Sequence, residues 1–532
     1  MKQHRLFLIT ILLTGVFASS CLKDLDIKPE DPNIITSASV LDNPEAYKQF
    51  LAKLYATLSL TGQRGEAGLP EISAPDEGTT GFLRGYWAAQ EVTTDEAINA
   101  WGDGGLVEYH GHLWSDQNSY VKLLYQRLFI NISYCNEYIR SVNEKVGTLD
   151  EALKTDVNGY LAEARFLRAY YYLCAMDLFG NVPFVTEADK PGAFSPQQIK
   201  RADLFNYVES ELKDILPALS EPGVNEYGRA DRAAAWALLS RLYLNAEVYT
   251  GQARYNDCIT YANEVINSNR FSLHVNYAHL FLADNHLYRQ EIIMPIASDG
   301  ANSRSYGDMT FVIHAAVGGS QDAANVFGIG AGGGWAGNRM TTSFVTRAFD
   351  DPSGNTDKRA LFYTDGQTLT ITHPTVFTEG YLCAKFKNVT STGALGVNTT
   401  FVDTDFPLLR LAEVYLNYVE ATIRGGAGGD ASRALTLVNA LRERAYGNAS
   451  GNITSAELTL DFLLNERGRE FYWEAHRRTD LIRFGKFTGA DLLWDWKGNV
   501  MNGVATDARF SLFPIPASDL LINNNLIQNP GY

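Results

Sequence analysis

The chain of 532 residues has few of the features that announce chemistry. It carries no Gly-Lys-Ser/Thr phosphate loop, no His-Glu-x-x-His and no Gly-x-Ser-x-Gly, so the sequence marks of nucleotide hydrolysis, zinc proteolysis and α/β-hydrolase chemistry are missing. None of its five cysteines forms a CxxC pair; neither a zinc ribbon nor a redox dithiol is indicated, and no metal or cofactor is expected. Positive charge is short, with 45 Lys and Arg against 61 Asp and Glu and a net charge of −16. That sign repels phosphate backbones and argues against nucleic acid as a partner. Long apolar runs are also missing, apart from residues 6–17, a run too short to span a bilayer stably.

What is present is a globular composition, 45% hydrophobic and 12% aromatic, in a chain long enough for one large core or two lobes. The 28 Tyr, 27 Phe and 8 Trp supply many flat apolar faces, most of which a core absorbs. At the N-terminus, Lys2 and Arg5 precede the apolar run, and Ala18, Ser19 and Ser20 precede Cys21. This is the layout of a secretory signal over residues 1–20. It resembles a bacterial lipoprotein signal, although Ala18 stands where Leu is more usual. The resemblance implies cleavage before Cys21 and acylation of that residue, which would anchor the protein durably to a membrane. Residues 21–44 then read as a lipidated polar tether, with LKDLDIKPEDP following the cysteine.

Helical periodicity appears over residues 45–60 and 120–144. Leu161, Ala164, Leu167, Tyr171, Cys174 and Leu178 mark a long amphipathic helix that ends at Gly180. Ala235, Leu239, Leu242 and Ala246, then Tyr255, Cys258, Ala262 and Val265, give a helical hairpin whose small stripe residues permit close crossing. The unit recurs with Leu408, Leu411, Tyr415 and Val419, then Ala431, Ala434, Val438 and Leu441. Even Tyr243-Leu244-Asn245 is echoed as Tyr415-Leu416-Asn417. The fold expected is therefore mostly α, built of stacked tetratricopeptide-like hairpins. A loop-rich lobe with short strands is inserted over residues 285–403. In it, Ile292 to Ile296 and Thr310 to Ile313 read as strands, and residues 318–337 as a glycine-rich loop around Trp335.

Residues 464–487, LNERGREFYWEAHRRTDLIRFGKF, hold nine charged side chains between Glu466 and Arg483, interleaved with Phe471, Tyr472 and Trp473. The mixture is too aromatic for a solvated helix and too charged for an ordinary core helix. It reads as a buried ionic seam that locks helices together, with Glu466–Arg469 or Glu470–Arg467 as neighbours and Arg478 as a member. Carboxylates at Asp76-Glu77 and Asp95-Glu96, beside Trp87 and Trp101, raise a glycoside hydrolase as an alternative. That reaction needs two carboxyls facing one bond, which adjacent residues on one element do not supply.

The seam's order of Glu466, Arg467, Arg469-Glu470-Phe471, Arg478, Asp480-Leu481 and Arg483-Phe484-Gly485 resembles the C-terminal hallmark of the SusD/RagB family. TGQRGEAGLPEISAPDEGTTGF, TTDEAINAW, LYLNAEVYTGQ and WDWKGNVMNG extend the resemblance over the mature chain. The resemblance implies a non-enzymatic lipoprotein on the bacterial outer-membrane surface. Such a protein captures oligosaccharide and passes it to a TonB-dependent transporter of the SusC type. It divides the mature chain into residues 45–284, with glycan-facing loops, and residues 285–532, with the insertion and closing helices. Starch or another α-glucan is the lead ligand, with fructan, xylan, mannan or a host glycan as alternatives. Matching to a starch-binding member implies a glycan site of Trp101, Tyr306 and Trp335 with Arg84. The departures are Gly104 in place of an Asn contact and Asn99 in place of a further Trp. A packing role for Trp101 and Trp335 is the competing reading.

Overall fold

The computed structural model describes residues 40–532 except 67, 68, 190, 191, 193, 319 and 320. The signal, Cys21 and most of the tether lie outside the described residues. Helix α1 (Pro44–Ala56) starts where the Asn43 side chain accepts from the Glu45 N–H, as an N-cap should. Helix α2 (Phe82–Glu91) is buried along every residue and leads through the short strand β1 (Ala97–Asn99) to the long helix α3 (Ser119–Val146), capped by Asn118. Helix α4 (Glu151–Phe179) is capped by Asp150 and stops at Gly180, whose φ of 71° favours glycine.

Helices α5 (Arg201–Ile215), α6 (Arg232–Leu244) and α7 (Tyr255–Asn267) follow. After the insertion come α9 (Leu411–Ile423) and α10 (Ala431–Tyr446), the number α8 belonging to a helix inside it. The packing runs α3 on α4, α4 on α5, α5 on α6, α6 on α7, α7 on α9 and α9 on α10. The two hairpins that echo one another in sequence thus stack directly in space, and the insertion leaves the stack between them. The echo has a physical use. Asn245 and Asn417 are both buried, and their Oδ1 atoms accept from Arg483 and Arg467 of the seam.

The insertion leaves and returns through one antiparallel pair, β2 (Ile292–Ile296) with β4 (Phe406–Arg410). Leu408, read as the start of a helical stripe, lies on that strand instead. Thr310 to Ile313, read as a strand, belongs to helix α8 (Met309–His314). Its β-branched run misleads because the helix is short and buried all round, so no polar face marks the 3.6 period. The sign of a helix is Asp308, whose side chain caps the Thr310 N–H. The glycine-rich stretch also holds a helical turn, Gln321–Phe327, before strand β3 (Asn338–Met340) pairs with β1 across more than 200 residues of chain.

Candidate functional site

The site rests on the seam. Helices α11 (Leu460–Phe471) and α12 (Arg477–Arg483) carry it. Glu466 accepts from Arg359 at 2.8 Å and Arg442 at 2.7 Å, as well as from Arg469. Glu470 holds Arg359, Arg410 and Arg444, and Glu474 holds Lys385 and Arg410, each at 2.6 Å. Burial raises the Glu466 carboxyl, but Arg359, Arg469 and Arg442 together outweigh it and hold the group at about 2. Two expectations are corrected. Arg467 pairs with Asp480 at 2.7 Å rather than Glu470, because Glu470 points to cations from three distant segments. Arg478 meets no carboxylate in the seam; it donates to the Ser511 carbonyl at 2.8 Å and lies against Phe487 and Phe513. Burial pushes its guanidinium down to about 10.

The seam reaches TTDEAINAW through its carboxylates. Asp95 takes both Nε and Nη2 of Arg477 at 2.8 Å. Glu91 and Glu96 accept from the backbone N–H groups of Ala475 and Trp473. Those two residues adopt φ of 60° and 65°, a left-handed backbone costly for non-glycine residues that these buried acceptors fix. Asp95 and Glu96 are therefore occupied inside the core and face no cleft. Trp87, beside them, packs 4.9 Å from Trp473 and donates its indole N–H to that residue's carbonyl.

Above this base, Asp76, Arg84, Trp101, Asp103, Tyr306 and Trp335 line one open recess of about 580 Å³. The four residues expected at a ligand site come from α2, the loop after β1 and two loops of the insertion, and the structure brings them together. Trp101 is half-buried on the β1–β3 platform. Its backbone N–H donates to the side chain of the buried Asn99, and its indole N–H donates to the Trp335 carbonyl at 2.8 Å. Asn99 thus positions Trp101 from beneath, and a second side-chain bond ties it to Asn338. Gly337 makes room: a Cβ there would come within 2.7 Å of the Trp101 ring. Tyr306 and Trp335 stand with ring centroids 6.0 Å apart and planes inclined at 55°. Such a pair makes a bent surface.

Arg84 is buried beneath the recess. Its guanidinium pairs with Asp76 at 2.9 Å and lies 4.6 Å from the Phe311 ring centroid. Gly78 allows this closeness, since a Cβ would stand 2.6 Å from Arg84 Nη1 and 2.5 Å from the Tyr306 carbonyl. Gly104 is exposed with open space around it. Sequence reasoning missed Asp76 as a wall of the recess, Phe311 packed against Arg84 and Trp101, and His314 beside Trp335. Of these, only the Asp308 cap gave a local signal, by placing Phe311 and His314 on one short helix.

Chemically, the recess offers tilted aromatic faces for apolar C–H surfaces, with carboxylates and a guanidinium at hand for hydroxyl groups. Among the described residues no group of three or more His, Cys, Asp and Glu is placed to hold a metal. No helix of those residues is long and apolar enough to cross a membrane.

Comparison with known proteins bears on the same features. Residues 331–532 match the family model described as "SusD family", and residues 83–244 match "Starch-binding associating with outer membrane". The chain is 36% identical to the starch-binding protein SusD of Bacteroides thetaiotaomicron, over 99% of this chain and 98% of that protein. It is 24% identical to a SusD-like protein of Bacteroides ovatus over 71% of this chain and 68% of that one. Among solved structures, the surface glycan-binding protein A of Bacteroides fluxus superposes with a TM-score of 0.69 at 21% identity, covering 92% of this chain and 100% of that chain. A SusD superfamily protein of Bacteroides thetaiotaomicron gives 0.70 at 20% identity, with 92% and 100% covered. At these identities the two structures speak for the fold.

Proposed function

The chain belongs to the SusD family, and on that premise we propose that its recess binds a neutral oligosaccharide at the bacterial cell surface. The observation that carries the reading is the convergence of Trp101, Tyr306, Trp335 and Arg84 on one open recess. The 55° inclination between Tyr306 and Trp335 suits a chain that curves, so an α-glucan such as starch is the lead ligand. The name of the 36%-identical relative supports the same choice. Sugar rings stack on the aromatic faces, and the Asp76–Arg84 pair supplies hydroxyl contacts. The protein holds its ligand without breaking a bond.

On this reading residues 1–20 are removed, Cys21 carries the acyl anchor, and residues 21–44 tether the protein to the outer membrane. It delivers oligosaccharide to a TonB-dependent transporter of the SusC type. An open aromatic platform binds in the millimolar to micromolar range, roughly −4 to −8 kcal/mol. Losing a central aromatic costs about 2 kcal/mol or more.

The test is calorimetry of the form beginning after Cys21 with maltoheptaose and with a β-glucan of equal length, for wild type, Trp101→Ala and Trp335→Ala. Wild type is expected to prefer maltoheptaose, and both variants to lose it. Equal affinity of all three proteins for maltoheptaose would remove the aromatic site. Preference for the β-glucan, or for fructan, xylan or mannan in a parallel screen, would keep the class and discard starch. Release of reducing sugar would establish hydrolysis instead.

A further inference from the structure

His314 ends helix α8, is buried and does not line the recess. Its imidazole lies 5.1 Å from the Trp335 ring, with planes 30° apart. Since Trp335 lines the recess and His314 does not, the imidazole supports the indole on the side away from solvent. Its Nδ1 is 2.5 Å from the Gly333 carbonyl oxygen. A carbonyl only accepts, so this bond needs the proton on Nδ1.

The backbone repeats the grip. The His314 carbonyl accepts from Trp335 N–H at 2.9 Å, the Val317 carbonyl accepts from Ala336, and the Ala315 carbonyl accepts from both Gly337 and Asn338. Trp335 is therefore clamped at the residues on both sides, and its ring meets the tilted imidazole of His314. The His314 side chain contributes both a bond to the loop and a surface for the ring. Besides Trp335, the imidazole faces the backbone carbonyls of Gly333 and Thr400. Burial lowers its basicity and outweighs the two carbonyls, which favour the charged form.

We infer that His314 is the positioning residue that sets the tilt of Trp335, and with it the recess's preference for a curved chain, without touching the ligand. This rests on the glycan-binding reading for its functional consequence. The clamp itself is a property of the free protein and is testable without ligand.

Two variants separate the contributions. His314→Phe keeps a ring behind Trp335 and removes the donor to Gly333. His314→Asn places an amide N–H close to where Nδ1 stands and removes the ring. In the free protein, the Trp335 component of acrylamide quenching is isolated by difference against Trp335→Phe in each background. It is expected to rise about twofold in His314→Phe and less in His314→Asn, with near-wild-type melting temperatures for both. Unchanged quenching in His314→Phe would overturn the clamp whether or not any glycan binds.

With maltoheptaose, His314→Phe is expected to bind about tenfold more weakly, the order expected when a contact side chain must be immobilised on binding rather than beforehand, and His314→Asn to recover most of that loss. The ratio of maltoheptaose to β-glucan affinity should fall in His314→Phe. Affinities and ratio within twofold of wild type would overturn the assignment. If wild type binds no glycan, the functional reading fails, and the quenching result alone decides whether His314 holds Trp335.

Discussion

The indole N–H of Trp101 donates to the backbone carbonyl of Trp335 at 2.8 Å. Two aromatics 234 positions apart in sequence are thereby one unit: the ring of the first is held by the backbone that carries the second. The bond fixes Trp101 in its plane, and β1–β3 pairing fixes the backbones on either side.

Gly337→Ala tests that unit without removing an aromatic. The added methyl would stand 2.7 Å from two atoms of the Trp101 ring, closer than real contacts allow, so the ring must shift and lengthen its bond to Trp335. Affinity for maltoheptaose is expected to fall at least tenfold, about 1.4 kcal/mol, while far-UV circular dichroism stays unchanged. Calorimetry with undiminished affinity would show that the Trp101 position is immaterial.

Arg410→Met and Arg478→Met should differ sharply, although both arginines are buried. Arg410 serves Glu291, Glu470 and Glu474, and removing it abandons buried carboxylates at a cost of about 3–5 kcal/mol. Arg478 leaves no carboxylate behind, and methionine can fill the space between Phe487 and Phe513, so its loss should cost less than about 2 kcal/mol. Denaturant titration of the two variants side by side decides. Equal losses would mean that ion pairing is not what makes the seam rigid.

Glu91→Gln addresses pH. Burial raises the Glu91 carboxyl to about 7, and Glu96 beside it is raised as well, by burial and then by Glu91. The sign follows. A carboxyl raised in the folded state stabilises fully below its unfolded value near 4.5, and this contribution is lost as pH rises through about 7. Glutamine keeps the acceptor for the Ala475 N–H and does not titrate. The variant should gain on wild type by about 1–3 kcal/mol between pH 5 and pH 8, read from paired melting curves. A difference that does not change with pH would show that the two carboxyls are already ionised.

Cys21→Ala concerns residues beyond the described chain. The variant is expected to leave the outer-membrane fraction while its melting temperature and glycan affinity stay at wild-type values, because only the acyl attachment is removed. Continued sedimentation with outer membranes after a high-salt wash would count against the anchor.

Much of the helical stack was legible because it obeys local rules: apolar spacing of three and four, and a glycine stop at Gly180. The seam announced itself as a composition that no surface or ordinary core helix tolerates. Its pairing did not, since Arg359, Arg410, Arg442 and Arg444 lie on segments far from Glu466 and Glu470, and a charge carries no record of its partner. The four recess residues came from family resemblance, and the residues that orient them from the structure alone. Asn99 looked like a lost tryptophan in sequence; in space it is the acceptor that aligns Trp101.

The antiparallel pair β2–β4 has a consequence for how such a protein can change. Strands in a sheet lie about 5 Å apart, so everything between residues 297 and 405 departs and returns through one narrow doorway. Closing a longer excursion adds only about 0.6 kcal/mol per doubling. A lineage or an engineer can therefore lengthen or recast the loops of this stretch and redraw half of the aromatic face, provided that β3 still pairs with β1 and a carbonyl still meets the Trp101 indole. Charge constrains the exchange as well. Arg359 and Lys385 lie inside it and pair with Glu466, Glu470 and Glu474, and Arg347 pairs with Asp95, so any replacement must bring these cations to the same addresses.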